Sequence, residues 1–415
     1  MAFDRTKPIR LIELFAGIGS QAKALENLGL VFEHWRVCEF NEDAVKSYNA
    51  VHYAKFAPSD ITKITASDLG IYDTKHYNYI LTYSFPCQDL SNAGKGKGME
   101  KGSGTRSGLL WEVERLLNEC RELPQVLLME NVPQVHGEKN KPHFDKWIEF
   151  LESKGYVNFW QDLNSKDYGI PQSRKRCIML SVLGACSYTF PKPIPLLKTM
   201  GDLLDDEVPK QYYLTEKKMY KIANWKSQQN PLERVNGLGS ISPTLTARGA
   251  GEYHSGMVLV SPHLDKTANL RGSILQREVC SKAVDLTKPF EMIDYTYSNA
   301  RLKEIQGGGL KVKNKTDPSV SCTLTTHLDN FAVRIPDDMF RVITPLESWR
   351  LMGFDDEDYY RAARVCDDKQ LYQQAGNSIV VNVLMAVFAE LFLPEQAHSQ
   401  WLIDLLNKEG EDSNV

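Results

Sequence analysis

The sequence predicts an α/β fold on a mostly parallel sheet, and three observations carry that expectation. Short apolar runs alternate with helix-spaced segments as far as residue 183. The first run ends in a glycine turn, Gly17-Ile18-Gly19. The alternation stops at a proline cluster, Pro191-Lys192-Pro193-Ile194-Pro195, and returns only from Phe340. Strand, helix and strand in repetition imply βαβ units with parallel strands.

Taken in order, residues 9–15 read as a strand, 21–28 as a helix closed by Gly29, and 32–40 as a second strand. Further strands are expected at 79–83, 126–129 and 178–183, with a helix at 109–123 from its apolar spacing. Residues 186–337 are irregular, rich in Ser, Thr, Gly and Asn, and expected to form a smaller β-rich domain. Within them Ser240-Ile241-Ser242-Pro243-Thr244-Leu245-Thr246 nearly repeats as Ser319-Val320-Ser321-Cys322-Thr323-Leu324-Thr325. The pair is either twin strand-and-loop elements or a coincidence of a Ser/Thr-rich region. Residues 380–392 read as an amphipathic or buried helix. The expected division is therefore 1–185, 186–337, 338–398 and a C-terminal tail at 399–415.

A chain of 415 residues, 42% hydrophobic and 25% charged, is long enough for two or three domains and excludes disordered, collagenous and disulfide-stapled classes. No apolar run approaches the roughly 20 residues that span a bilayer, and charges with Pro8 occupy the stretch where a signal peptide is apolar. The eight cysteines show no CxxC pair and no zinc-like spacing, so a reducing cytoplasmic setting without metal is expected. Net charge is −4, yet residues 186–335 carry +5 and the remainder −9. A local basic excess suits a phosphate-binding face, or it is chance variation over a surface.

Four constellations carry chemistry. Gly17, Gly19 and Ala22 satisfy a dinucleotide fingerprint, and Glu39 ends the next strand where an acid binds ribose hydroxyls. This pattern fits NAD and S-adenosylmethionine equally, and a tight turn beside a surface glutamate is the plainer reading. Ser84-Phe85-Pro86-Cys87-Gln88-Asp89-Leu90-Ser91 follows a strand, putting Cys87 where open α/β sheets bind ligands. Residues 92–107 hold five glycines and four basic side chains, which suits a loop closing over an anion. Met129-Glu130-Asn131-Val132 ends another strand. In Gln172-Ser173-Arg174-Lys175-Arg176, alternation sends Gln172, Arg174 and Arg176 to one face. A thiol, a carboxyl group and two arginines are the parts needed to attack an electron-poor heterocycle. Singly, each would more often be structural.

The motifs FAGIGS, SFPCQDLS, MENV and QSRKR, followed by Thr344-Pro345-Leu346-Glu347 and Gln374-Ala375-Gly376-Asn377-Ser378, resemble the DNA (cytosine-5) methyltransferases of bacteria and phages over about residues 9–183 and 340–392. The resemblance implies a Rossmann-like S-adenosylmethionine-dependent catalytic domain interrupted by a target-recognition domain at 186–337. It implies Cys87 as the nucleophile toward cytosine C6 and Glu130 at N4 and N3. Asn131 would fix the turn that aims Glu130, Arg176 would contact O2, and Arg174 would orient Glu130 or a phosphate. For the cofactor it implies Phe15 and Phe40 near adenine, Gly17 and Gly19 at the methionine portion, Glu39 at the ribose, and Asp60 with Ile61 at the adenine amine. Pro86, Asn377 and Ser378 would complete that pocket. Gln88, Ser91, Arg106, Thr244, Thr246, Arg248, Thr323, Thr325 and His327 are the expected DNA contacts, whereas Leu245 and Leu324 read as core. Double-stranded DNA is the expected partner, with a cognate restriction endonuclease acting separately, no membrane, and a monomeric state. An RNA cytosine-5 methyltransferase of the same fold and a catalytically silent DNA-binding relative are the alternatives. The former would carry its own CFT-type signature, which is absent, and the latter would have lost Cys87, Glu130 or the arginines.

Overall fold

In a computed structural model, the described residues are 4–87, 89–90, 98–213 and 339–407, with short segments at 235–236, 242–245, 257–260, 292–294 and 331–333. Among them, six strands form the main sheet: β1 (Ile9–Leu14), β2 (Phe32–Cys38), β3 (Asn78–Tyr83), β4 (Val126–Asn131), β5 (Tyr156–Asn164) and β6 (Lys175–Leu183). Their order is β2-β1-β3-β4-β6-β5. β1 to β4 run parallel, and β6 runs antiparallel to both its neighbours. All residues of β1, β3 and β4 are buried, as strands covered on both faces require.

The chain passes from β1 outward to β2 and returns to β3 on the other side of β1. That reversal opens a crevice at the carboxyl ends of β1 and β3. Helices α1 (Ser20–Asn27) and α2 (Glu42–Val51) follow β1 and β2. The side chain of Asn41 caps α2 by accepting from the amides of Asp43 and Ala44, at 2.9 and 3.0 Å. A short turn of helix, α3 (Ala66–Leu69), precedes β3. Helix α4 (Leu110–Glu119) buries Leu110, Val113, Leu116 and Leu117 at helical spacing. They join Leu81, Tyr83, Leu127 and Met129 in one core cluster.

Several elements escaped the sequence reading, among them α2, the C-terminal helices before residue 380, and a helix and a strand that follow β4. Helix α5 (Lys141–Ser153) buries Phe144, Trp147 and Leu151, a spacing of three and four that was there to find. Strand β5 is a sheet edge whose residues are mostly part-exposed, so its apolar alternation is weak. Trp147 donates to the Tyr83 hydroxyl at 3.0 Å, which seats α5 on β3.

The C-terminal segment supplies α6 (Pro345–Arg350), α7 (Asp356–Ala363), α8 (Asp368–Asn377), α9 (Val381–Phe392) and α10 (Gln400–Leu406). Helix α9 packs on α1 and buries every residue but Glu390, so it is a core helix, apolar all round. The expected tail at 399–415 is corrected in part. Residues 400–406 form α10, which buries Leu402 and Leu406 because they lie one turn apart on one face.

The chain divides into two compact units: 1–198 with 244–249 and 345–415, and 199–243 with 250–344. In the second, Met257–Val260 pairs antiparallel with Met339–Val342 and parallel with Val235–Asn236, and Met292–Asp294 pairs with Phe331–Val333. Of the near-repeat, Ser242 to Leu245 are described. Leu245 is buried, as a core residue should be.

One buried ion pair fastens the first unit's two chain segments together. Lys23 of α1 places Nζ 2.7 Å from both Asp355 and Asp358 at the start of α7. Asp358 is 1% exposed, and its other cation, Arg361, stands at 3.9 Å. Lys23→Met should therefore cost about 3 kcal/mol in urea unfolding, because it leaves a buried carboxylate nearly uncompensated. Lys23→Met combined with Asp358→Leu should recover most of that loss. A double variant no more stable than the single one would show that the pair is not the fastening.

Candidate active site

The site is built at the carboxyl ends of the parallel strands. β1 ends in Phe15, which takes φ +57, a conformation seldom adopted by a side-chain-bearing residue. Its amide donates to the Cys38 carbonyl at 2.7 Å, tying the turn to the end of β2. Gly17 follows at φ +57 and donates its amide to Glu39 Oε2 at 3.0 Å, while Glu39 Oε1 accepts from the Asn41 amide at 2.8 Å. The Glu39 carboxylate is thus fixed by two backbone donors. A β-carbon at Gly17 would meet nothing within 4 Å, so the turn faces open space among the described residues. Phe40 beside it is 75% exposed, an aromatic ring without cover. Asp60 accepts from the amide and hydroxyl of Thr62, which hold its carboxyl below the usual range, and Ile61 is buried.

From the far end of the chain, Ser378 meets the start of α1, its Oγ lying 2.8 Å from Ser20 Oγ. Asn377, at the end of α8, is exposed. A glycine turn at a helix N-terminus, a fixed carboxylate, an exposed ring and a hydroxyl are donors and surfaces that fit the adenosyl and amino-acid parts of S-adenosylmethionine.

β3 leads into Ser84-Phe85-Pro86-Cys87 and β4 into Glu130-Asn131. Asn131, buried, donates to the Phe85 carbonyl at 2.9 Å and accepts from the Val132 amide at 2.9 Å, joining the two strand ends. Ser107 donates to the Pro86 carbonyl at 2.6 Å from the start of the next helical turn. Asp89 accepts from the Arg106 amide at 2.9 Å, and its own carbonyl accepts from Gly98 at 3.0 Å. Neither Ser107 nor Asp89 was singled out from the sequence, since a lone serine or aspartate in a glycine-rich stretch carries no signal.

The antiparallel direction of β6 decides what meets Glu130. Glu130 pairs with Ile178 and Asn131 with Cys177, so the chain just before β6 arrives at the carboxyl end of β4. Arg176 Nε then stands 3.1 Å from Glu130 Oε1. Burial pushes the Glu130 carboxyl up, and the charges of Arg176 and Arg174 oppose without cancelling it. Burial likewise raises the Cys87 thiol, Glu130 raises it further, and the two arginines pull it down. Cys87 therefore rests as a thiol at neutral pH, electrostatically coupled to all three groups.

Arg174 takes a place other than the one expected. Alternation does send it inward with Gln172, but its guanidinium is buried and donates to backbone carbonyls: Leu245 at 2.9 Å, Gly376 at 3.0 Å and Ser378 at 2.7 Å. It makes no hydrogen bond to Glu130. Burial first, and Arg176 second, lower its proton affinity to about 9, while the three carbonyls, which can only accept, favour the charged form. Thr244, among the expected DNA contacts, donates its hydroxyl to the Ser173 carbonyl at 2.6 Å, within the first unit. Arg106 is exposed, and Pro86 is half-buried beside Cys87. Gln88, Ser91, Thr246, Arg248, Thr323, Thr325 and His327 lie outside the described residues.

The chain is similar to known methyltransferases. A family model, C-5 cytosine-specific DNA methylase, matches residues 9–393. The type II methyltransferase M2.ScrFI of Lactococcus lactis subsp. cremoris is 29% identical, over 92% of this chain and 99% of its own. The orphan methyltransferase M.SssI of Spiroplasma monobiae is 32% identical, over 60% of this chain and 81% of its own. Among solved structures, the Entamoeba histolytica methyltransferase EhMeth shares the fold at TM-score 0.65 and 17% identity, covering 94% of this chain and 99% of that one. The S. pombe Dnmt2 methyltransferase does so at TM-score 0.62 and 19% identity, covering 93% and 99%.

The coupling around Cys87 has a measurable sign. Glu130→Gln removes a negative neighbour, so Cys87 should be alkylated by iodoacetamide at lower pH than in the parent. Arg176→Gln removes a positive neighbour and should move the midpoint upward. Peptide mapping by mass isolates Cys87 from the other cysteines. Unmoved midpoints in both variants would show that the four groups do not share one electrostatic site.

Proposed function

The chain belongs to the C-5 cytosine-specific DNA methylase family and is a DNA (cytosine-5) methyltransferase that uses S-adenosylmethionine; on that premise we propose that it methylates a cytosine flipped out of duplex DNA through a covalent bond between Cys87 Sγ and C6. The observation that carries this reading is the convergence of a buried, proton-retaining carboxyl, an arginine 3.1 Å from it and a coupled thiol at adjacent strand ends.

Cytosine C5 is too weakly nucleophilic to accept a methyl group unaided. Cys87 gives up its proton to water and adds as the thiolate to C6, which places the electron pair at C5. Glu130, whose proton is held more tightly because of burial, donates it to a hydrogen bond with N3 and accepts from N4, neutralising charge as the ring is attacked. Arg176 holds the Glu130 carboxyl in place and faces O2. Asn131 keeps the Cys87 loop and the Glu130 strand in register through the Phe85 carbonyl. The sulfonium of the cofactor supplies the methyl group to C5. Loss of the C5 proton, to water, then breaks the Cys87–C6 bond and releases the thiolate, which takes a proton back from solvent. This geometry requires access above and below the ring, which a stacked base denies, so the base leaves the helix.

In this reading Phe15, Gly17, Gly19, Glu39, Phe40, Asp60, Ile61, Pro86, Asn377 and Ser378 surround the cofactor. Ser91 and Arg106 contact phosphates as the loop at 88–107 closes over DNA. Residues 186–337 read the target sequence, with the +5 balance supplying attraction to the phosphate backbone. The relatives' names, type II and orphan methyltransferase, support a role as the modification activity of a restriction–modification system or a solitary relative of one.

Duplex DNA carrying 5-fluorocytosine at the target should trap the enzyme as a denaturation-stable adduct in the presence of cofactor, because fluorine does not leave as the C5 proton does. Cys87→Ser should abolish the adduct and retain cofactor binding, and Glu130→Gln should slow its formation by about 10²–10⁴-fold. An adduct that survives Cys87→Ser, or one that forms on RNA and not on DNA, would overturn the proposal. Exchanging residues 186–337 for those of a relative should change the methylated sequence and leave cofactor affinity unaltered. An unchanged sequence context in bisulfite sequencing would remove target reading from that segment.

A further inference from the structure

Behind the glycine turn lies a cluster that the reaction above does not use. His52, at the end of α2, has a side chain with no exposure, and its ring fills the space next to residue 19. A β-carbon at Gly19 would fall 2.3 Å from His52 Nε2 and 2.7 Å from a Tyr48 ring carbon. His52 Nε2 lies 3.1 Å from the Ile18 carbonyl, and Nδ1 lies 2.9 Å from Glu26 Oε1. A carbonyl only accepts, so Nε2 carries a hydrogen. The ring thus bridges the Ile18 carbonyl and the Glu26 carboxyl group.

Glu26 also has His34 Nε2 at 3.6 Å, and His34 Nδ1 lies 2.9 Å from the Tyr48 hydroxyl, which donates to buried Glu13 on β1 at 2.5 Å. Burial would raise the Glu26 carboxyl, but His34 and His52 overcome it and hold Glu26 well below the usual range. Lys23, on the same helix, adds to that effect. Three of the four ring nitrogens of the two histidines lie within hydrogen-bond distance of a protein oxygen, and the fourth, His34 Nε2, stands 3.6 Å from Glu26.

We propose that His52, fixed by Glu26, is a positioning residue for the cofactor: its Nε2–H draws the Ile18 carbonyl inward and thereby sets the Gly17–Gly19 turn that receives S-adenosylmethionine. The proposal rests on the reading of that turn as the cofactor cradle. Turning the Ile18 carbonyl toward the core leaves the amide side of the turn free to face the ligand, and it explains why residue 19 has no side chain. His52 touches no reacting atom, so its loss should act on cofactor binding and spare the chemical step.

The test separates the two ring nitrogens. A glutamine amide reaches about as far as His Nε2, and an asparagine amide about as far as Nδ1. His52→Asn should raise the Kd for S-adenosylmethionine about tenfold in isothermal titration, the loss of one hydrogen bond. kcat at saturating cofactor and the KM for DNA should stay within about twofold by the same reasoning. His52→Gln should return the Kd to within about threefold of the parent, since the bond to Ile18 is remade. If His52→Asn does not fold, Glu26→Ala, which frees the ring from its anchor, should raise the cofactor Kd with kcat unchanged. Equal Kd values for the Asn and Gln variants, an unchanged Kd in Glu26→Ala, or losses in kcat as large as those in Kd would overturn the proposal. Glu39→Ala is the control: if it too leaves the Kd unchanged, the reading of the turn as the cradle fails, and not the role of His52 alone.

Discussion

A single guanidinium holds three distant pieces of chain to one point. Arg174 is buried; its two terminal nitrogens are answered, while its Nε has no hydrogen-bond partner among the described residues. The answers are the carbonyls of Leu245, Gly376 and Ser378, which come from within the irregular segment and from the end of α8. Because backbone carbonyls carry no sequence label, the clamp fixes position and not residue type. It seats the end of α8 beside the start of α1, where Ser378 meets Ser20. It also sets the register of the extended chain before β6, so that Arg176, two residues on, points to the same side and reaches Glu130.

The electrostatics of the crevice follow from that placement. Glu130 and Cys87 each raise the other's cost of ionising, and the arginine pair lowers both. Burial outweighs the arginines at each group. Both the acid and the thiol of the resting site therefore hold their protons more tightly than they would in water.

The cofactor side has its own hierarchy. Glu39 is oriented by backbone amides of Gly17 and Asn41, and the turn is in turn secured from behind by His52 and from the side by the Cys38 carbonyl. The left-handed backbone at Phe15 persists because these bonds over-determine it.

The sequence by itself determined the alternation of strands and helices, the glycine turn after β1, the positions of Cys87, Glu130 and Arg176 at strand ends, and the core character of Leu245. Those features are local: periodicity, turn chemistry and motif spacing act over a few residues. Edge strand β5 was not legible because an edge is half-exposed, and its pattern depends on neighbours that the chain reaches later. The direction of β6 was decided only by tertiary structure, since an apolar run reads the same whether its partner lies parallel or antiparallel. Arg174 shows the same limit. Its type and spacing match a catalytic arginine, but whether a guanidinium finds a carboxylate or three carbonyls depends on what packs around it. The roles of His52 and Ser107 were invisible for the same reason, because a buried polar side chain takes its meaning from partners that only the folded chain brings within hydrogen-bonding distance.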